Sequence, residues 1–400
     1  MIKRNKTLQI IVILFLSAVA FVFYQYNRTD PIISLSVSTD GRYVISAHAP
    51  RKSDLYFPKG QLTLWDIEKK EKKILADHAN AYSASFIPDS HEFMWQDDKN
   101  VVHIQDVNGK EVNSFPHFQV KTHIISADKT FYLSSNMENY GALYEGYGKN
   151  LKPVYTDGGF PLPLTLSTNG DYFLSASATC VGENDPVAET NLTANPINPN
   201  ESKKSSYDGV TLWDKHTLKP VARLYGNCGK TTGLISPDGK WVVTGDENSG
   251  YYMWEIKNLH NRLKLAIPGS GIYVKEKHDY DSSKLLPIPP SIDDRGITAG
   301  GVAYAFLSEK DFIGLGKSEN EDGNGYEFAA LYTVGDPWIK AYVEIGNDPS
   351  ISTNYYQRNL SVSSAPKAHI LVTGQATGGG INVYKYHPDK MELEKIWVAD

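Results

Sequence analysis

An all-β, seven-bladed β-propeller of four-stranded antiparallel blades, preceded by an N-terminal hydrophobic helix, is the fold this sequence predicts. Three observations carry the prediction. One short turn motif recurs along the chain, strands of similar pattern follow each copy, and the composition leans to β structure, with 25 Tyr among 12% aromatic residues. Hydrophobic residues at 41% and charged residues at 22% describe a folded chain. The 40 basic and 46 acidic side chains give a net charge of −6, so no basic stripe is available and nucleic acid is not an expected partner.

The first element, residues 1–30, differs from the rest. Lys3, Arg4 and Lys6 precede an apolar run from Leu8 to Tyr24, interrupted only by Gln9 and Ser17. A positive flank followed by such a run reads as an export signal or a transmembrane anchor, with the remainder sent across the membrane. Ala18-Val19-Ala20 offers a cleavage site, whereas Phe21-Val22-Phe23-Tyr24 prolongs the run beyond it. The reading adopted is an uncleaved anchor, with a cleaved signal as the alternative. The chain is read as bacterial. That places it in the inner membrane with the propeller in the periplasm, or free in the periplasm or secreted if the segment is removed. Without residues 1–30 the body has 36 basic and 45 acidic side chains, a net charge of −9.

The second element, residues 31–400, carries the repeat. Ser38-Thr39-Asp40-Gly41, Ser167-Thr168-Asn169-Gly170 and Ser236-Pro237-Asp238-Gly239 each lead into a β-branched and aromatic strand. Weaker copies begin at Ile87, Ser126, Leu307 and Ser363, making seven. Asp-Gly and Asn-Gly tolerate the positive φ of tight hairpins, so each copy predicts a hairpin. A third strand follows and often ends in Trp and an acid, as at Trp65-Asp66, Trp213-Asp214 and Trp254-Glu255. A polar turn and a fourth short strand complete the unit, as in 110–115, 218–224 and 393–398. A β-sandwich also spaces its strands closely, but it does not need seven copies of one turn.

On these Trp-acid pairs and the Ser-Pro-Asp-Gly turn at 236–239, the body resembles the WD-repeat (Trp-Asp repeat) β-propeller family. In that family an Asp commonly sits six residues before the Trp and ties a polar network together. Lys59, Tyr207 and Asn248 hold those positions here, and the family's Gly-His pair is absent. The blades are therefore expected to lack that network.

With strands lettered a to d from the axis outward, connections a–b and c–d open on one face of the disc, and b–c and d–a on the other. The stretches 48–60, 179–208, 268–298 and 317–325 are long, and all are expected on the b–c/d–a face. Insertions of this kind commonly mark a binding face. Leu55, Tyr56 and Phe57 beside Arg51 and Lys52, and Tyr273, Tyr280, Leu285 and Leu286 in a Pro-rich stretch, are the candidate binding residues. Cys180 and Cys228 fall on the same face, and in an exported protein they suggest one disulfide closing a loop of about 48 residues, worth on the order of 4 kcal/mol.

Chemical signatures are few. Gly229-Lys230-Thr231 imitates the end of a phosphate-binding loop, but Leu224 stands where its first Gly is needed and the next segment is strand-like. The acidic run Glu319 to Gly325 lacks the alternating ligands of an EF-hand and reads as a hairpin loop. The 11 histidines form no H-x-H or H-E-x-x-H pair, and there is no G-x-S-x-G elbow. No catalytic residue, metal site or cofactor is assigned. The expected function is a non-catalytic interaction scaffold binding a protein partner in the cell envelope through its insertion face. The alternatives are a propeller enzyme (a quinoprotein-like oxidoreductase or a hydrolase) and a carbohydrate or small-ligand sensor.

Overall fold

A computed structural model of the chain describes residues 30, 32–49, 59–136, 141–160, 162–167, 171–176, 210–224, 231–246, 252–266, 272–274, 277–279, 284, 286–287, 297–298, 304–319, 325–344, 362–374 and 379–399. They form seven antiparallel blades spanning 32–80, 85–116, 120–160, 162–224, 231–264, 304–344 and 362–399. Within each blade the strands lie side by side in chain order, and neighbours run antiparallel. The chain is an all-β seven-bladed propeller. The expected N-terminal helix lies outside the described residues. Among the described residues no helix is long and apolar enough to cross a membrane.

Seven hydrophobic clusters hold the ring, one at every junction between adjacent blades. Ile45, Leu62, Phe86 and Phe93 join blades 1 and 2, and Ile87, Met94, Phe115 and Tyr132 join blades 2 and 3. The series continues round to Val44, Trp65, Ile370 and Val383, which join blade 7 to blade 1. Among the described residues each blade is one stretch of chain, and no shared strand closes the ring. Side chains close it instead. The Val37 N–H donates to Ser363 Oγ at 3.1 Å, and the Trp65 and Trp397 rings meet edge to face at 6.3 Å.

The recurring motif explains one face of the disc. Its serine is buried at Ser38, Ser126, Ser167 and Ser236, and each Oγ accepts the backbone N–H five residues on, at 2.9, 3.2, 2.9 and 2.9 Å. In the first and last of these the same hydroxyl donates to Asp40 or Asp238 at 2.6 Å. Gly41 closes its turn at φ +74°, a conformation glycine adopts without strain. These a–b turns, with the c–d turns, form what we call the turn face. A hydrogen bond from His91 to Asp40 at 2.8 Å and ion pairs of Lys129 with Glu92 at 2.6 Å and of Lys215 with Asp128 stitch neighbouring blades there.

The Trp residues of the third strands have polar partners of another kind. The Asp and Gly-His positions are indeed occupied by other residues, but a shorter bond takes their place. Trp65 Nε1 donates to Ser46 Oγ at 2.8 Å, Trp213 Nε1 to Ser175 Oγ at 2.8 Å, and Trp254 Nε1 to Thr244 Oγ1 at 3.4 Å. The hydroxyl sits on strand b beside the Trp on strand c, so one hydrogen bond ties the blade's two middle strands. Buried indole N–H groups need such a partner.

Three expected loops also change. His48, Lys59 and Gly60 belong to strands Tyr43–His48 and Lys59–Asp66. A Cβ at Gly60 would stand 2.1 Å from the His48 carbonyl oxygen, so only glycine permits this approach. In blade 6, strands Asp311–Glu319 and Gly325–Thr333 stay paired out to Glu319 opposite Gly325, and Ile297–Thr298 adds a fifth strand beside Lys317 and Ser318. Both described ends of the stretch expected as a loop there, 317–319 and Gly325, are therefore strand. The stretch 268–298 likewise contains a hairpin of strands Ile272–Val274 and Lys277–Asp279.

Candidate binding face

The b–c and d–a connections form the opposite, insertion face. Of the residues expected to bind there, Leu55, Tyr56, Phe57, Tyr280 and Leu285 lie outside the described residues, as do Cys180 and Cys228. Tyr273 lies in the small hairpin, opposite His278. Leu286 is 37% exposed. Its neighbour Lys284 lies with Nζ 5.6 Å from the centre of the Trp338 ring, on the outermost strand of blade 6. At that point the long connection follows the rim of the disc and not its face, because the outer strand offers the aromatic surface that a lysine stem covers.

A site the sequence did not signal lies on this face between blades 2 and 3. It begins with Gln96, the last residue of strand b in blade 2, which is fully buried. Its Nε2 donates to the Phe118 carbonyl at 2.8 Å, and its Oε1 accepts the Val120 N–H at 2.9 Å. One side-chain amide thus pairs with the backbone on both sides of Gln119, as a neighbouring strand would. Asn80, at the end of blade 1, adds Nδ2 bonds to Gln96 Oε1 at 3.0 Å and to the Val120 carbonyl at 2.7 Å. The backbone of 118–120 is therefore held from blades 1 and 2 together.

Phe118 stands on this pinned backbone and is 38% exposed. His117 lies against it, with ring centres 4.1 Å apart, and accepts or donates through Nε2 to Ser134 Oγ of blade 3 at 3.0 Å. An aromatic side chain presented on a rigid backbone loses little conformational entropy when a partner covers it. Phe118 combines that economy with a large apolar surface.

Three histidines toward this face are neutral by design of their surroundings. Burial pushes His48, His117 and His123 down to about 4. His48 Nδ1 donates to the Asp30 carbonyl at 2.8 Å, which leaves Nε2 to accept from Ser46 Oγ at 3.0 Å. Trp65, Ser46, His48 and the backbone at Asp30 then form one relay that fixes where the chain enters the propeller. His123 Nε2 donates to the Ser83 carbonyl. Among the described residues no group of three or more His, Cys, Asp or Glu is placed to hold a metal ion.

Comparison with known proteins agrees on the fold. The chain is similar to the β-propeller domain of Cps50 (Swd1) from Myceliophteria thermophila, with 11% identity, a TM-score of 0.55, and 90% of this chain and 98% of that one covered. A chain in the crystal structure of the Mitotic Checkpoint Complex matches at 12% identity and TM-score 0.56, covering 90% of each. KlHsv2 with loop 6CD replaced by a Gly-Ser linker matches at 10% and 0.52, covering 92% of this chain and 98% of that one. At these identities the likeness establishes the architecture and nothing finer. No family model matches the chain, and no curated protein matches it in sequence.

Proposed function

We propose that this chain is a non-catalytic interaction propeller, anchored in the membrane by its N-terminal segment, that binds a protein partner of the cell envelope through its insertion face. The observation that carries the reading is Phe118, an exposed ring on a backbone clamped from two blades, on the face where the long connections open. The neighbour from the Mitotic Checkpoint Complex shows that a chain of this architecture occurs within a protein assembly. Leu55, Tyr56 and Phe57 extend the same surface in this reading, and a Cys180–Cys228 disulfide restrains the long blade-4 connection.

Affinity capture of the full-length protein from crosslinked membranes tests it. Phe118→Ala, and separately Tyr56→Ala with Phe57→Ala, should each lower partner recovery by about tenfold or more, as loss of an aromatic anchor does. The stability of Phe118→Ala should stay within about 0.5 kcal/mol of the parent. Unchanged recovery with both variants overturns the assignment of this face.

A further inference from the structure

We infer that the partner bound at the Phe118 face is an integral membrane protein, and not a soluble one. The inference rests on the anchored reading above and follows from where the tether leaves the disc. Asp30 is held at the insertion face by His48, and Ile32, which pairs with His48, opens the innermost strand of blade 1. The chain therefore leaves the propeller from its inner ring, on the same face as Phe118. Only Gln25, Tyr26, Asn27, Arg28 and Thr29 separate Asp30 from Tyr24, the last residue of the apolar run. Six steps of backbone span at most about 21 Å when fully extended. A globular domain of 100 residues measures about 30 Å or more across.

The middle of this face is thus held nearer to the bilayer than the width of a soluble domain. A partner that reaches Phe118 must rise into the gap from the membrane itself. The edge of a membrane-embedded protein suits that gap. It is short along the membrane normal and apolar enough to cover an exposed aromatic ring. The clamped backbone around Phe118 keeps the ring pointed at the same place while the partner diffuses in the plane.

The test uses the full-length protein in its own membranes, with Phe118→p-benzoylphenylalanine as the photocrosslinker and Asp238→p-benzoylphenylalanine on the turn face as control. A factor Xa site replaces residues 26–29, which keeps the length of the tether. Irradiation should give a protein adduct at position 118 and none at 238. After factor Xa cleavage the free propeller should wash off with carbonate, while the adduct stays in the membrane. An adduct released with the free propeller identifies a soluble partner and overturns the inference, as does an adduct carrying lipid alone. A chain that carbonate removes before cleavage overturns the anchored reading instead. A protein adduct confined to position 238 overturns the choice of face.

Discussion

The two faces of this disc are built from the same strands and use their sequence differently. On the turn face, a buried serine in four of the seven blades accepts the N–H that closes its hairpin. Acid–base pairs then join one blade to the next. On the insertion face, connections differ from blade to blade, and long-range side-chain bonds of Gln96, Asn80 and His48 hold the described part. The comparison teaches that local turn chemistry, repeated, is sufficient to shape one side of the ring. The other side is then free to carry surface that the fold does not need. Phe118 is such surface: its exposed ring adds little to the core, yet buried side chains hold its backbone in place.

The difference can be broken most severely at Gln96. Gln96→Leu leaves the Phe118 carbonyl, the Val120 N–H and a partner of Asn80 without their bonds inside the protein. It should cost about 3 kcal/mol in urea unfolding and also lower partner capture. A loss below about 1 kcal/mol would mean that water replaces the amide and that Phe118 is not clamped.

Acid separates the faces next. His48, His117 and His123 have folded-state values of about 4, below their ordinary 6.5. As pH falls from 6.5 toward 4 the unfolded chain takes up protons that the folded chain refuses, so stability declines. The loss is about 1.4 kcal/mol per pH unit for each fully titrating histidine. On the turn face, burial raises Asp40 and Asp238, but hydrogen bonds from Ser38 and His91, or from Ser236 and Lys240, outweigh it and hold both carboxyls below the ordinary 3.8. Their contribution is present above 3.8 and is lost only below it. Thermal unfolding followed against pH should therefore show a first decline between 6.5 and 4 that His123→Asn reduces. A flat profile through that window contradicts the buried histidines.

A smaller effect sharpens the turn face. Ser236→Ala removes the acceptor for the Trp241 N–H and the donor to Asp238, and should cost about 1 kcal/mol with partner capture unchanged. Equal damage to capture from Ser236→Ala and Phe118→Ala would erase the functional distinction between the faces.

Legibility in the sequence follows the same division. The turn face was readable because each hairpin signal lies within six residues, as in Ser38 to Tyr43, and recurs. The blade count followed from it. The Trp–hydroxyl bonds were hidden because their partners stand 19 residues apart in blade 1 and 38 in blade 4, with nothing in the intervening chain to link them. Phe118 was hidden for the same reason. His117-Phe118-Gln119 is too short to show a period, and the amide that clamps it lies 22 residues earlier. A Gln at the end of strand b, where the other blades have His48, Asn136, Ala176, Asp246, Glu319 and Gly374, was the one local hint. The blade-6 arm resembles a loop in sequence because its acidic run lacks apolar alternation. Backbone pairing with Ile297–Thr298 and across the hairpin makes strands of its ends all the same.

The most direct measurement compares backbone hydrogen exchange of the full-length protein in its native membranes with that of the same protein in detergent. Partner engagement at the insertion face predicts slower exchange in membranes for residues 97–100 and 117–119, with 38–42 and 236–239 unchanged. Slower exchange confined to the turn-face segments, with 117–119 exchanging equally in both states, would contradict the account.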